Sequence, residues 1–337
     1  MSKEVAQAAV DLILKDAGKP GVLFYGGEPL LEKTLVRQIL SYIQDKTHMR
    51  FAFSITTNGV LLDESFIKLL TDSKVSIGLS HDGEAQDICR PLKSGEGTFN
   101  MLDKNIDLLL KYQPYAKVLS VADPRNVENV SQMVSFFRSK GFRYLHLAVN
   151  YANDAGWNTE KIQTLRTEYL RIAQMYLDWT RNGEKIYFSS FDMKIASHIK
   201  GKGYHGLRQK LNENMFAVAP NGNIFFSSRF IDRPHMAIGN VFDGIDQVKL
   251  DKFKQDAVIA YDCCNDCALI DRCNYAFDRF DTDKPLPMQC TNEKLLIPIA
   301  DYIAKALFAE QNELFIQKHY DPLYAVISLA EDLFKRK

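Results

Sequence analysis

The 337-residue sequence lacks an excess of either charge. Lys+Arg and Asp+Glu are both 42, so the formal net charge is zero. A chain that grips nucleic acid through phosphates normally carries a basic surplus, which sets that partner aside. No apolar run reaches the ~18 residues that a membrane-spanning helix needs. The opening MSKEVAQAAVDLILKDAGK has no signal-peptide cleavage pattern and reads as an amphipathic helix. The expected compartment is the cytoplasm, with no membrane partner. Internal repeats and low-complexity tracts are also missing. Hydrophobic residues are 46% and charged residues 25%, which excludes disordered, collagen-like and coiled-coil chains. The length allows two domains, or one large α/β barrel with an appendage. Only six cysteines are present. In a cytoplasmic chain they read as metal ligands or thiols rather than disulfides.

What is there is an alternation. Helical spacing over 2–17, 31–44, 63–72, 98–111 and 127–140 is interleaved with short β-rich runs. Those runs are Val22–Tyr25, Phe51–Thr56, Val75–Leu79, Ala116–Val121 and Tyr144–Val149. Strand and helix at this rhythm mean a parallel sheet with right-handed crossovers, open or curled into a barrel. Either form binds ligands at the C-terminal ends of its strands. Polar and Gly residues cluster at those ends: Gly26-Gly27-Glu28-Pro29, Thr56-Thr57-Asn58-Gly59, Ser80-His81-Asp82-Gly83 and Asp123. Any one of these can be ordinary turn chemistry, but four in successive register point to a ligand edge. A long helix follows at 158–182. From about 210 the character changes, with a β-hairpin about Pro220-Asn221-Gly222-Asn223 and a final helix near 291–309. The boundary between the two parts should fall near 185–210.

Five of the six cysteines lie between 263 and 290. The pattern Cys264-x2-Cys267-x5-Cys273-x16-Cys290 offers four thiolates, with Cys263 spare. A C-x2-C turn grips one face of an ion or cluster, and two later cysteines complete the shell. Zinc and an iron–sulfur cluster both suit such a shell, and spacing does not decide between them. Cys89 stands alone as a loop or core thiol. In Gly26-Gly27-Glu28-Pro29 the glycines permit close backbone approach, Glu28 offers a carboxylate to an ammonium group, and Pro29 suits a first helical turn. Arg90 can take a carboxylate bidentately, or settle into a surface ion pair with Asp87.

Together these pieces resemble the radical S-adenosylmethionine (radical SAM) superfamily, in the branch with a C-terminal SPASM domain. That branch includes peptide maturases and anaerobic sulfatase-maturating enzymes. The resemblance runs over nearly the whole chain. It rests on Phe24-Tyr25-Gly26-Gly27-Glu28-Pro29-Leu30-Leu31, Thr56-Thr57-Asn58-Gly59, Leu79-Ser80-His81-Asp82-Gly83 with Asp87 and Arg90, and Gly97-Thr98-Phe99. Further on it rests on Val218-Ala219-Pro220-Asn221-Gly222-Asn223, Ile238-Gly239-Asn240-Val241 and the cysteine cluster. The resemblance implies an α/β fold: a partial (β/α) barrel over 1–200, a SPASM-like domain over 201–310, and a helical tail over 311–337. It implies S-adenosylmethionine binding by Gly26, Gly27, Glu28, Pro29, Asn58, Ser80 and Arg90, with Ser80 near the ribose and Arg90 at the methionine carboxylate. It also implies one auxiliary 4Fe–4S cluster on Cys264, Cys267, Cys273 and Cys290. The substrate it implies is a peptide or protein, attacked by a 5′-deoxyadenosyl radical.

Two departures qualify the resemblance. The family's C-x3-C-x2-C motif, which holds the catalytic 4Fe–4S cluster on the loop after the first barrel strand, occurs nowhere in the 337 residues. The expectation is therefore a barrel lacking that first strand, unable to cleave S-adenosylmethionine alone. Its partner would be a complementing N-terminal fragment, or a second copy at the uncovered sheet edge. The alternatives are a non-catalytic homologue that binds a peptide or partner and keeps one structural cluster, and a zinc-stabilised binding protein. Ser227-Ser228 and Phe277 stand where a second auxiliary cluster would have cysteines, so one such cluster is expected. No residue stands out as general acid or base.

Overall fold

A parallel sheet and its crossover helices build the first half of the chain. The computed structural model describes residues 1–15, 20–49, 51–201, 215–258, 261–273 and 285–334. Helix α1 (Lys3–Leu14) precedes β1 (Gly21–Phe24). Then come α2 (Lys33–Lys46), β2 (Ala52–Thr57), α3 (Glu64–Asp72), β3 (Val75–Ser80), the one-turn α4 (Gln86–Cys89) and α5 (Phe99–Tyr112). These are followed by β4 (Lys117–Ala122), α6 (Val130–Ser139), β5 (Tyr144–Val149), α7 (Thr159–Arg181), β6 (Tyr187–Phe188) and α8 (Ser189–Lys200). The six strands lie side by side in chain order, and every neighbouring pair is parallel.

That order decides between an open doubly wound sheet and a barrel wall. Right-handed crossovers between sequential neighbours put every helix on the same face. The other face becomes the inner wall of a partial (β/α) barrel. The side chains follow this division with period two. Ile55, Val75, Ile77, Leu79, Val118, Ala122, Leu145 and Leu147 are buried against Val36, Phe66, Leu70, Leu102, Ile106, Val134 and Phe137 of the helices. The alternate positions Ser54, Thr56, Ser76, Ser80, Leu119, Val121, Tyr144 and Ala148 are half-buried, and Lys117 and His146 are exposed. The concave face therefore mixes small polar, aliphatic and titratable side chains where the helix-facing side is packed and apolar. Strand β1 is the edge of the sheet, with β2 as its neighbour. Its Leu23 is 48% exposed and the adjoining Tyr25 60%.

The second part of the chain is a small antiparallel sheet: β7 (Ala217–Val218), β8 (Asn223–Phe225), β9 (Gly239–Asn240) and β10 (Gly244–Ile245), in spatial order β10-β9-β8-β7. Gly239 has φ 157°, and a Cβ there would lie 2.2 Å from the carbonyl oxygen of Gly244, so only glycine fits this turn. Helix α9 (Gln247–Val258) follows. Ile224, Phe225, Phe230, Ile238, Leu250 and Phe253 form the core of this unit, together with Val5 of α1. The next face of α1 sets Ala6 and Val10 against Ile39 and Ile43 of α2. One helix thus joins the two units.

The chain closes with α10 (Pro287–Ala309), α11 (Glu313–Tyr320) and α12 (Tyr324–Phe334). Leu296, Ala300, Ile303 and Leu307 of α10 share the core of the parallel unit. Asp192 of α8 fastens α11 in place. Its carboxylate meets Lys318 at 2.5 Å and accepts from the Tyr176 hydroxyl at 2.8 Å and the Phe188 backbone N–H at 2.7 Å. The antiparallel pairing of β7 with β8 is the hairpin expected from Pro220-Asn221-Gly222-Asn223. Strand β6 and helix α8 were not expected, because a two-residue strand is too short to display an alternation. Residues 202–214, which include part of the expected unit boundary, lie outside the described residues, as does Phe277.

Candidate functional site

The C-terminal ends of β1 to β5 carry a rim of polar side chains. After β1, Gly26 has φ 153°, a conformation that favours glycine. A Cβ at Gly26 or Gly27 would meet nothing within 4 Å, so this turn faces open space. Glu28 caps the short 3-10 turn Pro29–Glu32. Its Oε1 accepts from the Leu30 N–H at 2.9 Å and the Thr57 hydroxyl at 2.7 Å, and Oε2 accepts from the Asn58 N–H at 2.7 Å. An ionised carboxylate has about four acceptor positions; two are used in tying the end of β1 to that of β2 and one in the local cap, so one remains for a ligand. Asn58 turns its own Oδ1 to the Val60 N–H at 3.0 Å. Ser80 closes β3 on the concave face, half-buried.

Arg90 differs from the ion pair expected with Asp87. Its Nε donates to Asp82 Oδ2 at 2.7 Å and its Nη2 to Oδ1 at 3.4 Å. Asp82 is 1% exposed and also accepts from the Val121 N–H at 2.9 Å. A buried carboxylate attracts the nearest guanidinium more strongly than a solvated one does. Asp87 is occupied elsewhere: its Oδ1 accepts from the backbone N–H groups of Thr98 and Phe99 at 2.6 and 2.7 Å, at the start of α5. A Cβ on Gly97 would come within 2.4 Å of that carboxylate, which explains the glycine in Gly97-Thr98-Phe99. Arg90 keeps its Nη1 end uncommitted among the described residues, with 30% of the side chain exposed.

The rim continues on β4 and β5. Asp123 holds Arg125 through Nε at 2.7 Å and accepts from Asn150 Nδ2 at 2.9 Å. Two histidines flank this region. His81 is fully buried beside Phe99, Phe136 and Phe137. Its Nδ1 accepts from the Gly83 N–H at 2.9 Å, and its Nε2 has no hydrogen-bond partner among the described residues. Burial pushes its imidazole down to about 4. His146 stands on the concave face, open to solvent yet ringed by protein. Desolvation, and then the Lys117 cation, hold its imidazole below the ordinary value. In the sequence His81 drew notice only as part of the Ser80-His81-Asp82-Gly83 cluster, and His146 drew none. The usable signal for His146 was its place in Tyr144-Leu145-His146-Leu147, a polar position facing away from two leucines.

The cysteine turn is built from tight local hydrogen bonds. The Cys264 N–H donates to the Tyr261 carbonyl at 2.8 Å, that of Cys267 to the Cys264 carbonyl at 3.1 Å, and that of Ile270 to the Cys267 carbonyl at 3.0 Å. Cys273 follows Arg272, whose guanidinium reaches Asp301 of α10 at 2.6 and 2.9 Å and the Ser197 hydroxyl of α8 at 3.0 Å. Lys194, 2% exposed, donates to the Arg272 carbonyl at 3.0 Å and to Glu293 at 2.5 Å. Glu293 lies one turn beyond Cys290 in α10. A single ammonium thus binds the neighbour of Cys273 and a residue close to Cys290. All four cysteines are half-buried, and Cys263 is exposed. Thiolates of this number and setting suit a cluster in their chemistry. Among the described residues, however, no three His, Cys, Asp or Glu side chains gather into a metal-holding group. Residues 274–284, between Cys273 and Cys290, lie outside the described residues.

Residues 1–159 match the model of the radical SAM superfamily. A cysteine-type anaerobic sulfatase-maturating enzyme of Clostridium perfringens (strain 13 / Type A) is 26% identical over 236 residues, covering 67% of this chain and 64% of the relative. A serine-type anaerobic sulfatase-maturating enzyme of Klebsiella aerogenes is 25% identical over 227 residues, covering 63% and 54%. The chain thus spans less than two-thirds of the length of these relatives. Among solved structures, native anSMEcpe with bound AdoMet and Cp18Cys peptide superposes with a TM-score of 0.78 at 21% identity, covering 92% of each chain. Streptococcus suis SuiB bound to S-adenosylmethionine gives 0.57 at 15% identity, covering 81% of this chain and 65% of that one. At these identities the likeness is one of fold. No described helix is long and apolar enough to cross a membrane.

Proposed function

We propose that this chain, whose residues 1–159 match the radical SAM superfamily model, works in a radical SAM system that modifies peptides. S-adenosylmethionine binds at the rim and the peptide lies along the concave face. The observation that carries this proposal is the division of the sheet: apolar toward the helices, mixed and in part polar on the concave face, with Glu28, Asn58 and Ser80 at the C-terminal ends of adjoining strands and Arg90 held beside them by Asp82. The open turn at Gly26-Gly27 leaves room for the methionine end of the cofactor. The fourth acceptor position of Glu28 serves its ammonium, and the outer edge of Arg90 serves its carboxylate. Ser80 lies beside the ribose. Cys264, Cys267, Cys273 and Cys290 hold one auxiliary 4Fe–4S cluster, which when bound supplies a path for electrons. The sulfatase-maturating relatives make a cysteine- or serine-containing peptide the favoured substrate class.

The absence of C-x3-C-x2-C from the 337 residues adds a second element. No trio of thiolates is present to hold an iron with an open position beside Glu28 and Arg90. Binding of cofactor and peptide belongs to this chain, and reductive cleavage requires three thiolates from a segment outside these residues. The alternative is a homologue that binds a peptide or partner without chemistry of its own. The test is anaerobic reconstitution with iron, sulfide and a strong reductant. S-adenosylmethionine should bind, Arg90→Ala should weaken that binding about tenfold through loss of a charge-assisted contact, and no 5′-deoxyadenosine should form above a cluster-free control. Failure to bind S-adenosylmethionine at millimolar concentration would sink the proposal. Formation of 5′-deoxyadenosine would place a catalytic cluster where none is assigned.

A further inference from the structure

We infer that His146 receives the reactive side chain of the peptide, a thiol or a hydroxyl, at the middle of the concave face; this rests on the peptide-binding proposal above. Strand β5 sends Leu145, Leu147 and Val149 into the core and leaves Tyr144, His146 and Ala148 on the concave face. Register places Ser80, Leu119 and His146 in one row across three strands. With strands about 4.8 Å apart, Ser80 and His146 are separated by about 10 Å. That span has room for the end of a nucleoside on one side and a single short side chain on the other. The neighbours of His146 on this face are Ala148 ahead and Leu119 and Val121 across, which are small or aliphatic and offer a ligand no competing hydrogen bond. One row below stand Lys117 and Tyr144, paired in register.

The chemistry fits a side chain that is both donor and acceptor. A neutral imidazole has one N–H donor and one nitrogen acceptor. Neither nitrogen of His146 has a hydrogen-bond partner among the described residues, and the side chain is open to solvent. Crowding and the Lys117 cation favour the neutral form, which leaves the acceptor nitrogen ready for an S–H or O–H. The other polar groups on the inner wall near this row are the Ser80 hydroxyl and, one row below, the hydroxyls of Thr56 and Tyr144 and the Lys117 ammonium. None of these carries a separate donor and acceptor on one ring, as an imidazole does.

The experiment measures binding to the full 337-residue chain with S-adenosylmethionine present. The probes are three synthetic peptides that differ at one central residue: cysteine, serine or alanine. The wild-type chain should bind the cysteine and serine peptides about three- to tenfold more tightly than the alanine peptide, the span of one net hydrogen bond. His146→Ala should erase that preference while S-adenosylmethionine still binds as in wild type. His146→Gln, which keeps a donor and an acceptor, should retain part of it. Nitrogen-15 resonances of the His146 imidazole should move with the cysteine peptide and not with S-adenosylmethionine alone. A preference that survives His146→Ala, or a wild-type chain that shows none, overturns the assignment to His146. If no peptide binds while S-adenosylmethionine does, the peptide proposal falls and takes this assignment with it.

Discussion

His81 should make the fold acid-sensitive in a defined window. Its imidazole is fully buried among Phe99, Phe136 and Phe137. Burial pushes it from an ordinary 6.5 to about 4, against a smaller opposing pull from the Asp82 carboxylate. The unfolded chain takes up a proton near pH 6.5, and the folded chain does so only near pH 4. Between those values the unfolded state binds more protons, so stability must fall as pH falls. The slope approaches about 1.4 kcal/mol per pH unit, and over the whole window the loss is about 3 kcal/mol for this one group. His319, also pushed to about 4 by burial, adds to the slope in the same direction. Asp63 is pulled down from 3.8 to about 2, chiefly by its hydrogen bond from Lys33, and its stabilising contribution is lost only below about pH 4. Urea unfolding between pH 7 and 4.5 therefore isolates the histidines. His81→Phe should lower stability at pH 7 by about 1–2 kcal/mol, because the Gly83 N–H loses its acceptor. It should also remove about 1 kcal/mol per pH unit of the slope. Parallel decline of wild type and variant across that window would show that the His81 environment has been misjudged.

Glu28→Ala removes the acceptor of two backbone N–H groups and one hydroxyl. It should cost about 2–3 kcal/mol in urea unfolding of the ligand-free chain as well as weakening S-adenosylmethionine; an effect on binding alone would mean that the carboxylate faces only the ligand. Asp82→Asn leaves Arg90 without its anionic partner and should cost about 2 kcal/mol, less than for a fully buried pair because Arg90 is 30% exposed. The freed guanidinium should also bind S-adenosylmethionine several-fold more weakly by calorimetry, and unchanged affinity would show that Asp82 does not orient it. Anaerobically prepared protein should contain about four irons and four sulfides per chain. Cys267→Ala should abolish them and Cys89→Ala should not, whereas one zinc without sulfide would exclude the iron–sulfur assignment.

Much of the fold was legible because its signals are local and repeated. The period-two runs at Val75–Leu79 and Tyr144–Val149 announce strands, and the amphipathic stretches at 31–44 and 98–111 announce the covering helices. What remained open was whether the sheet is flat or curled, since adjacent residues do not reveal strand order. The order β1 to β6 answers it through long-range pairing. Strand β6 was invisible because two residues carry no period. Glu28, Ser80 and Asp82 were legible as rim residues by their position after strands, but their partners were not. Arg90 has carboxylates at both Asp82 and Asp87 within reach in sequence, and burial of Asp82 decides between them. His146 was hidden because an alternating strand pattern names two faces without saying which of them is the wall of a cavity.

The partners of the rim residues explain how the site keeps its shape without a ligand. Parallel strands share no hairpins, so their C-terminal ends are joined only through the sheet and through whatever the loops contribute. Here acidic side chains supply that connection at successive strand ends. Glu28 ties the end of β1 to Thr57, the last residue of β2, and to Asn58 just beyond it. Asp82, just beyond β3, accepts from the Val121 N–H of β4. Asp123, just beyond β4, accepts from Asn150 at the end of β5. Each carboxylate bridges to the next strand, and two of the three also hold an arginine on the outer side. The rim is thus a chain of short polar links, in which the groups available to a ligand are the outer edges of residues already fixed by their inner ones. Such prior fixing lowers the ordering cost of binding. It also ties affinity to stability, so that a substitution which loosens one link should be felt by the ligand at the next strand.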